Sequence, residues 1–175
     1  MYFYHCCVDL EKIKEYKKTV KSLMNRDNAE DITGKTTIDG IQFNLYPKLE
    51  LSDKLNDIVE DVSRIIFDHI KEEVTLNNCW TVYGKVGLYQ KCHRHNDKTN
   101  DVATVLYLNA PDDYDSPRQH GSFYFFNGRD AHVIQPHTGD LFIFPTQMYH
   151  GTYPSKKNGR FTLSMDFRRK YQSII

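Results

Sequence analysis

What this 175-residue chain lacks narrows its class before any motif is read. It carries no excess charge. Its 23 basic and 23 acidic residues give a formal net charge of +0, which argues against a general electrostatic grip on nucleic acid or an anionic membrane. It has four cysteines and no pattern among them. Cys6 and Cys7 are adjacent, Cys79 and Cys92 lie far along the chain, and none forms a Cys-x-x-Cys pair. That is no disulfide framework, so reduced thiols in a cytoplasmic setting are expected. No apolar run approaches the ~18 residues a membrane span needs. The first eight residues are apolar but lack a basic region and a small-residue cleavage site, so they do not read as a signal peptide. There is no internal repeat, no low-complexity tract and no linker, and one domain over residues 1–175 is expected.

Aromatic residues, by contrast, are plentiful: 13% of the chain, with 12 Tyr and 10 Phe. That suits a sheet-rich protein or an aromatic-lined pocket. The pattern predicts a short strand over residues 2–8, then a helix capped by Asp9, with Leu10, Ile13, Val20 and Leu23 on one face. Residues 28–40 read as loop and 41–46 as a strand. A second helix, capped by Ser52 or Asp53, carries Leu55, Ile58, Val59, Val62, Ile65, Ile66 and Ile70 at helical spacing. From residue 78 the texture changes to short strands, over 80–89, 102–109, 121–127, 131–135, 140–145 and 160–168, separated by turns. The expectation is a mainly β sandwich or jelly roll over 78–170, buttressed by a helical N-terminal region over 1–77. Residues 110–120 are the best lid candidate.

The chemistry concentrates between Gly84 and Arg160. His95 and Asp97 are two residues apart, so a strand points both to one face. With His150 brought back from a distant strand they make two histidines and one carboxylate, the set that binds non-haem Fe(II) and leaves positions open. Arg160 can then offer a planar, permanent cation to a substrate carboxylate. Cys92-His93-Arg94-His95 contains a second pairing, His93-x-His95. Counting back from the strand at 102–109 favours His95 and Asp97, which leaves His93 as a surface residue or a neighbour of the site.

On these residues, the half of the chain from about Trp80 to Arg168 resembles the double-stranded β-helix core of the Fe(II)/2-oxoglutarate-dependent oxygenases, in its prolyl-hydroxylase-like branch. His95-x-Asp97 followed by Val102-Ala-Thr-Val-Leu-Tyr-Leu-Asn109, Gly121-Ser-Phe-Tyr-Phe-Phe, Gly139-Asp-Leu-Phe-Ile-Phe-Pro145, His150 and Arg160-Phe-Thr162 match in order. The resemblance implies Fe(II) on His95, Asp97 and His150. It implies 2-oxoglutarate held by Arg160 with Thr162 and Tyr107, and ascorbate as a reductant. The implied reaction is oxidative decarboxylation to succinate and carbon dioxide, coupled to hydroxylation of a C–H bond. The implied substrate is an amino acid or peptide, with prolyl hydroxylation the leading case.

A nucleobase demethylase of this superfamily would carry a second Arg six residues after Arg160, where this chain has Asp166. A cupin-like metal enzyme, which uses more histidines and does not need Arg160, is the alternative, and a non-enzymatic binding module is a third. Trp80 reads as core ahead of pocket wall, Tyr83 and Tyr89 as pocket-wall candidates, and Arg94 as a solvated charge. His5 and His69 read as structural or exposed, and His120, His132 and His137 as surface residues.

Overall fold

The computed structural model describes residues 2–25, 27, 29–30, 36–46, 53–95, 101–111 and 118–170. Its elements run β1 (Tyr4–Cys7), α1 (Leu10–Leu23), β2 (Ala29–Glu30), β3 (Thr37–Tyr46), α2 (Asp53–Ile70), β4 (Val74–His93), β5 (Val102–Asn109), β6 (Phe123–Asn127), β7 (Asp130–Ile134), β8 (Asp140–Pro145), β9 (His150–Thr152) and β10 (Arg160–Arg169). Ser52, Asp97 and most of the proposed lid, 112–117, lie outside the described residues.

The ladder order is β1-β8-β5-β10-β4-β9-β6-β7, with β3 added to β4. β4 explains why this single sheet curls into a double-stranded β-helix. The stretch from Val74 to Gly84 pairs with β10, whereas Gln90 and His93 pair with β9. One 20-residue strand therefore belongs to both halves. The halves then face each other across an aromatic interior: Ala103, Val105 and Tyr107 of β5 and Phe142 and Phe144 of β8 pack on Phe123 and Phe125 of β6.

Two glycines make close approaches possible. At Gly84, a Cβ would lie inside the side chain of Leu88, 2.7 Å from its Cγ. At Gly151, in the middle of β9, a Cβ would sit 2.6 Å from Tyr124 Cζ and 2.7 Å from Gln90 O. Only glycine lets β9 lie flat between β4 and β6, and β9 carries His150.

The helices cover the other face. Asp9 caps α1, accepting from the N–H groups of Glu11 (2.9 Å) and Lys12 (3.3 Å). Ile13, Tyr16 and Val20 of α1 and Leu55, Ile58, Val59, Val62 and Ile66 of α2 are buried against outward residues of β5, β8 and β10. Each such fully buried side chain contributes about 1.5–3 kcal/mol. Tyr16 and Lys12 both donate to Asp61 and so tie α1 to α2. Phe161, Leu163, Met165 and Phe167 of β10 point to these helices, so by strand alternation Arg160, Thr162, Ser164 and Asp166 point into the barrel. All four are buried.

Strands also come from the N-terminal region. β1 extends the sheet beyond β8, and β3 pairs with β4 along most of its length. The N-terminal third is therefore part of the sheet as well as its helical support. The loop expected over 28–40 gives way to β2 and to the start of β3 at Thr37.

Candidate metal centre

β4 and β9 bring His93 directly opposite His150. His95 follows two residues later, anchored by its N–H to Thr146 O at 2.9 Å. The three imidazoles form one group. Ring centroids are 4.4 Å apart for His93 and His150, 5.2 Å for His95 and His150, and 5.5 Å for His93 and His95. One nitrogen from each lies within 4.8 Å of the others. Phe144 and Phe123 back His150, at 4.7 and 5.7 Å, and Trp80 stands against His95 at 5.6 Å.

The hydrogen bonds fix the tautomers. Nδ1 of His93 meets Lys91 O at 2.7 Å, Nδ1 of His150 meets Met148 O at 2.9 Å, and Nδ1 of His95 meets Asp166 Oδ1 at 2.7 Å. Each partner is an oxygen acceptor, so each Nδ1 carries the proton. Nε2 is left with its lone pair. Three imidazoles with Nδ1 engaged and one nitrogen of each within 4.8 Å of the others suit a borderline transition-metal ion, so this donor set fits the metal the sequence implies.

Burial reinforces the neutral state. The His150 imidazole is held well below the usual histidine range, first by burial and then by His93 and His95. His93 is lowered as well, chiefly by burial, with its bond to Lys91 O opposing. Unfolded histidine titrates near 6.5. Between the lowered folded values and that point, the unfolded chain binds more protons. Stability of the metal-free protein is therefore expected to fall as pH drops below about 6.5, with no contribution from these groups above it. Thermal melts between pH 8 and pH 5 check this; His150→Gln is expected to flatten part of the slope.

The second end of the site is built on β10. Arg160 is only 4% exposed. Its Nη1 donates to Thr152 Oγ1 at 2.9 Å and its Nη2 to Tyr153 O at 3.4 Å. Thr152 follows His150 by two residues on β9, so the guanidinium lies about one inward step, roughly 7 Å, from the histidine along that strand. Thr162 shares the inward face of β10 with Arg160 and pairs with Tyr107 across the β5–β10 ladder. Burial pushes the Tyr107 phenol up to about 12, with the nearby Arg160 charge pulling against it. Tyr107 is therefore an O–H donor at neutral pH.

The arrangement places His95, His150, Arg160, Thr162 and Tyr107 on the barrel interior. It also assigns His93 and Trp80 differently from the sequence. His93, expected as a surface residue or a neighbour of the site, is packed against His150, and Trp80, expected as core ahead of pocket wall, stands over His95 and lines an open cavity of about 520 Å³ beside His93 and His95. Four carboxamides, Gln42, Asn44, Asn78 and Gln90, also line that cavity, and among the described residues no Asp, Glu, Lys or Arg does. Asp166, the partner of His95, was not foreseen from the residues around either of them.

The other residues behave as ordinary structure. Arg94 stacks over Tyr149 at 5.2 Å, and Tyr83 is 39% exposed against Phe161. Asp140 ties β1 to β8 by accepting from His5 (2.9 Å), from Cys7 and from the N–H of His137 (2.7 Å). His69 bonds Ile65 O, His120 bonds Pro154 O, and His132 stacks on Phe125.

A double-stranded β-helix with three imidazoles clustered at one end and a buried arginine further in is an arrangement that could hold a metal ion beside an anionic ligand. Residues 78–166, just over half of the chain, match the model of a 2OG-Fe(II) oxygenase family. The chain belongs to that family. Known structures share its fold. A Pseudomonas putida prolyl-4-hydroxylase matches with TM-score 0.70 and 16% identity, over 97% of this chain and 93% of that one. An oxidoreductase of the 2OG-Fe(II) oxygenase family from Burkholderia pseudomallei matches with TM-score 0.76 and 15% identity, over 96% and 86%. HygX from Streptomyces hygroscopicus, solved with nickel and 2-oxoglutarate bound, matches with TM-score 0.70 and 11% identity, over 98% and 84%. No curated protein matches the chain by sequence. Among the described residues no helix is long and apolar enough to cross a membrane.

Proposed function

We infer that the protein is an Fe(II)- and 2-oxoglutarate-dependent dioxygenase that hydroxylates a C–H bond of an amino-acid or peptidyl substrate, releasing succinate and carbon dioxide. The observation that carries this reading is Arg160: a guanidinium buried in the barrel, its Nη1 on the Thr152 hydroxyl, about one inward step from His150. A fixed, planar cation at that depth suits the distal carboxylate of a short diacid whose other end reaches the metal. Tyr107 and Thr162 are the neutral donors beside it.

His95 and His150 belong to the metal site in either register of the sequence motif. Bound Fe(II) supplies the redox chemistry that couples decarboxylation of the 2-oxo acid to oxygen transfer. The chain's own part is to orient the diacid through Arg160, to favour the neutral His150 imidazole by burial, and to hold substrate in the cavity under Trp80. Carboxamides can pair with a peptide unit's N–H and C=O, which suits a peptide backbone. The fold shared with prolyl hydroxylases makes prolyl peptides the first substrates to try.

The direct test is succinate formation with Fe(II), ascorbate and 2-oxoglutarate, with and without prolyl peptides and free amino acids. Substrate-stimulated succinate supports the reading. A protein that binds iron yet forms no succinate with any of them contradicts it. The third imidazole in the cluster favours one alternative, a cupin-like metal dioxygenase that does not use 2-oxoglutarate; the burial of Arg160 speaks against it.

A further inference from the structure

We propose that the metal is held by three histidines, His93, His95 and His150, and that Asp166 supplies from behind His95 the negative charge that a directly bound carboxylate would otherwise provide. This goes beyond the oxygenase reading and depends on it only for the identity of the ion.

Three observations carry it. First, the β4–β9 register sets His93, not His95, directly across from His150, and β4 ends at His93. The pair of donors two residues apart is then His93 and His95. Second, all three Nδ1 atoms are engaged by oxygen acceptors, so three Nε2 lone pairs are prepared for one ion. His69 and His120 make similar Nδ1 bonds at the surface; what sets these three apart is that their rings also cluster within reach of a single ion. Third, the acceptors differ. His93 and His150 use main-chain carbonyls two residues before them, whereas His95 uses a carboxylate that is itself nearly buried, at 5% side-chain exposure.

Charge accounts for that difference. Two neutral imidazoles and a bound carboxylate leave a divalent ion with one net positive charge. Three neutral imidazoles leave two, and Asp166 in hydrogen-bond contact with His95 restores the balance without occupying a coordination position. A carboxylate on the far nitrogen of a metal-binding imidazole also fixes its orientation and raises its basicity. Asp166 faces the barrel from β10, on the same face as Arg160 and six residues further on. An arginine at that place would set a cation against His95, where the three-histidine set calls for an anion. Asp166 is thus a positioning residue.

The experiment uses the full-length chain and metal alone. With histidine labelled in ¹⁵N and Zn(II) as a diamagnetic probe, three side chains are expected to show Nε2 shifted to metal-bound values, each keeping a protonated Nδ1. A set built on His95, Asp97 and His150 would shift two. Competition titrations with Co(II) then compare variants whose fold is verified by thermal melting. His93→Ala is expected to weaken binding by more than about a hundredfold, and Asp97→Ala by less than about threefold. Asp166→Asn keeps an oxygen acceptor for His95 but loses the charge; it is expected to weaken binding about ten- to hundredfold and to shift the Co(II) visible bands. A merely structural Asp166 would leave those bands in place.

Two shifted histidines, or a loss of more than tenfold in Asp97→Ala, overturns the proposal, as does a wild-type protein that binds no metal. Three shifted histidines with no 2-oxoglutarate binding would leave the donor set standing and remove the oxygenase reading instead.

Discussion

Arg160→Ala is expected to weaken 2-oxoglutarate binding by between roughly thirtyfold and several thousandfold while leaving metal affinity nearly unchanged. Removing one partner of a buried, hydrogen-bonded charge pair costs about 2–5 kcal/mol, and 1.36 kcal/mol is a factor of ten. Two features separate this loss from a folding defect. Thr152, which accepts from Arg160, also accepts from Gln90 N–H at 2.9 Å, so its hydroxyl keeps a partner in the variant. The histidines are positioned by the β4–β9 ladder, by the carbonyls of Lys91 and Met148 and by Asp166, while the guanidinium meets β9 at Thr152, two residues past His150. Arg160→Lys is expected to fall between wild type and the alanine variant, because an ammonium keeps the charge but loses the fork. Equilibrium titration of 2-oxoglutarate into metal-loaded protein measures both. Unchanged affinity in Arg160→Ala would remove Arg160 from the cosubstrate site and favour the cupin-like alternative.

Phe144→Ala is expected to give the largest stability loss of any single truncation near the site, about 3–5 kcal/mol. Phe144 has no exposed surface. Its ring packs on Phe3 at 6.1 Å, Phe123 at 5.8 Å and His150 at 4.7 Å. It therefore joins β8 to β6, the two halves of the barrel, and forms a wall behind one of the metal-facing histidines. Such a loss is a large part of the 5–15 kcal/mol that holds a typical domain together, and urea or thermal unfolding reads it directly. Metal affinity is expected to fall with it, since the cavity left behind frees the His150 ring to move. Tyr149, next to His150 in sequence but 46% exposed, offers the contrast. Tyr149→Ala is expected to stay within about 0.5 kcal/mol of wild type, as surface substitutions do.

Much of this architecture was legible because local patterns and tertiary pairing agree. β5 and β8 fall where unbroken β-branched and aromatic runs predict them, at residues 102–109 and 140–145, since both are buried on two faces. Asp9 caps α1 as its side-chain chemistry dictates. β9 was not legible. Three residues, one of them glycine, carry no strand signal of their own; β4 and β6 on either side make His150, Gly151 and Thr152 a strand. The start of β4 was placed too late for a similar reason. The stretch from Val74 to Asn78 lacks clean alternation and is held extended by its ladder with β10, across a bulge.

The site was legible in part. His95, His150 and Arg160 were singled out by residue chemistry and spacing, Thr162 and Tyr107 by the family resemblance, and the structure brings all five to the barrel interior. The register of the metal pair was not decidable that way. Residues 93, 95 and 97 share one parity, so a period of two assigns all three to one face. Pairing with β9 sets His93 opposite His150, and Asp97 lies outside the described residues. Nor does local sequence announce that Asp166 meets His95, because 71 residues separate them.

The most direct measurement is an anaerobic titration of Fe(II)-loaded protein with 2-oxoglutarate, followed by visible absorbance. The metal-to-ligand charge-transfer band of a chelated 2-oxo acid is expected in the wild type and absent in His95→Ala and His150→Ala. A wild-type protein that holds iron but develops no band would contradict the oxygenase account.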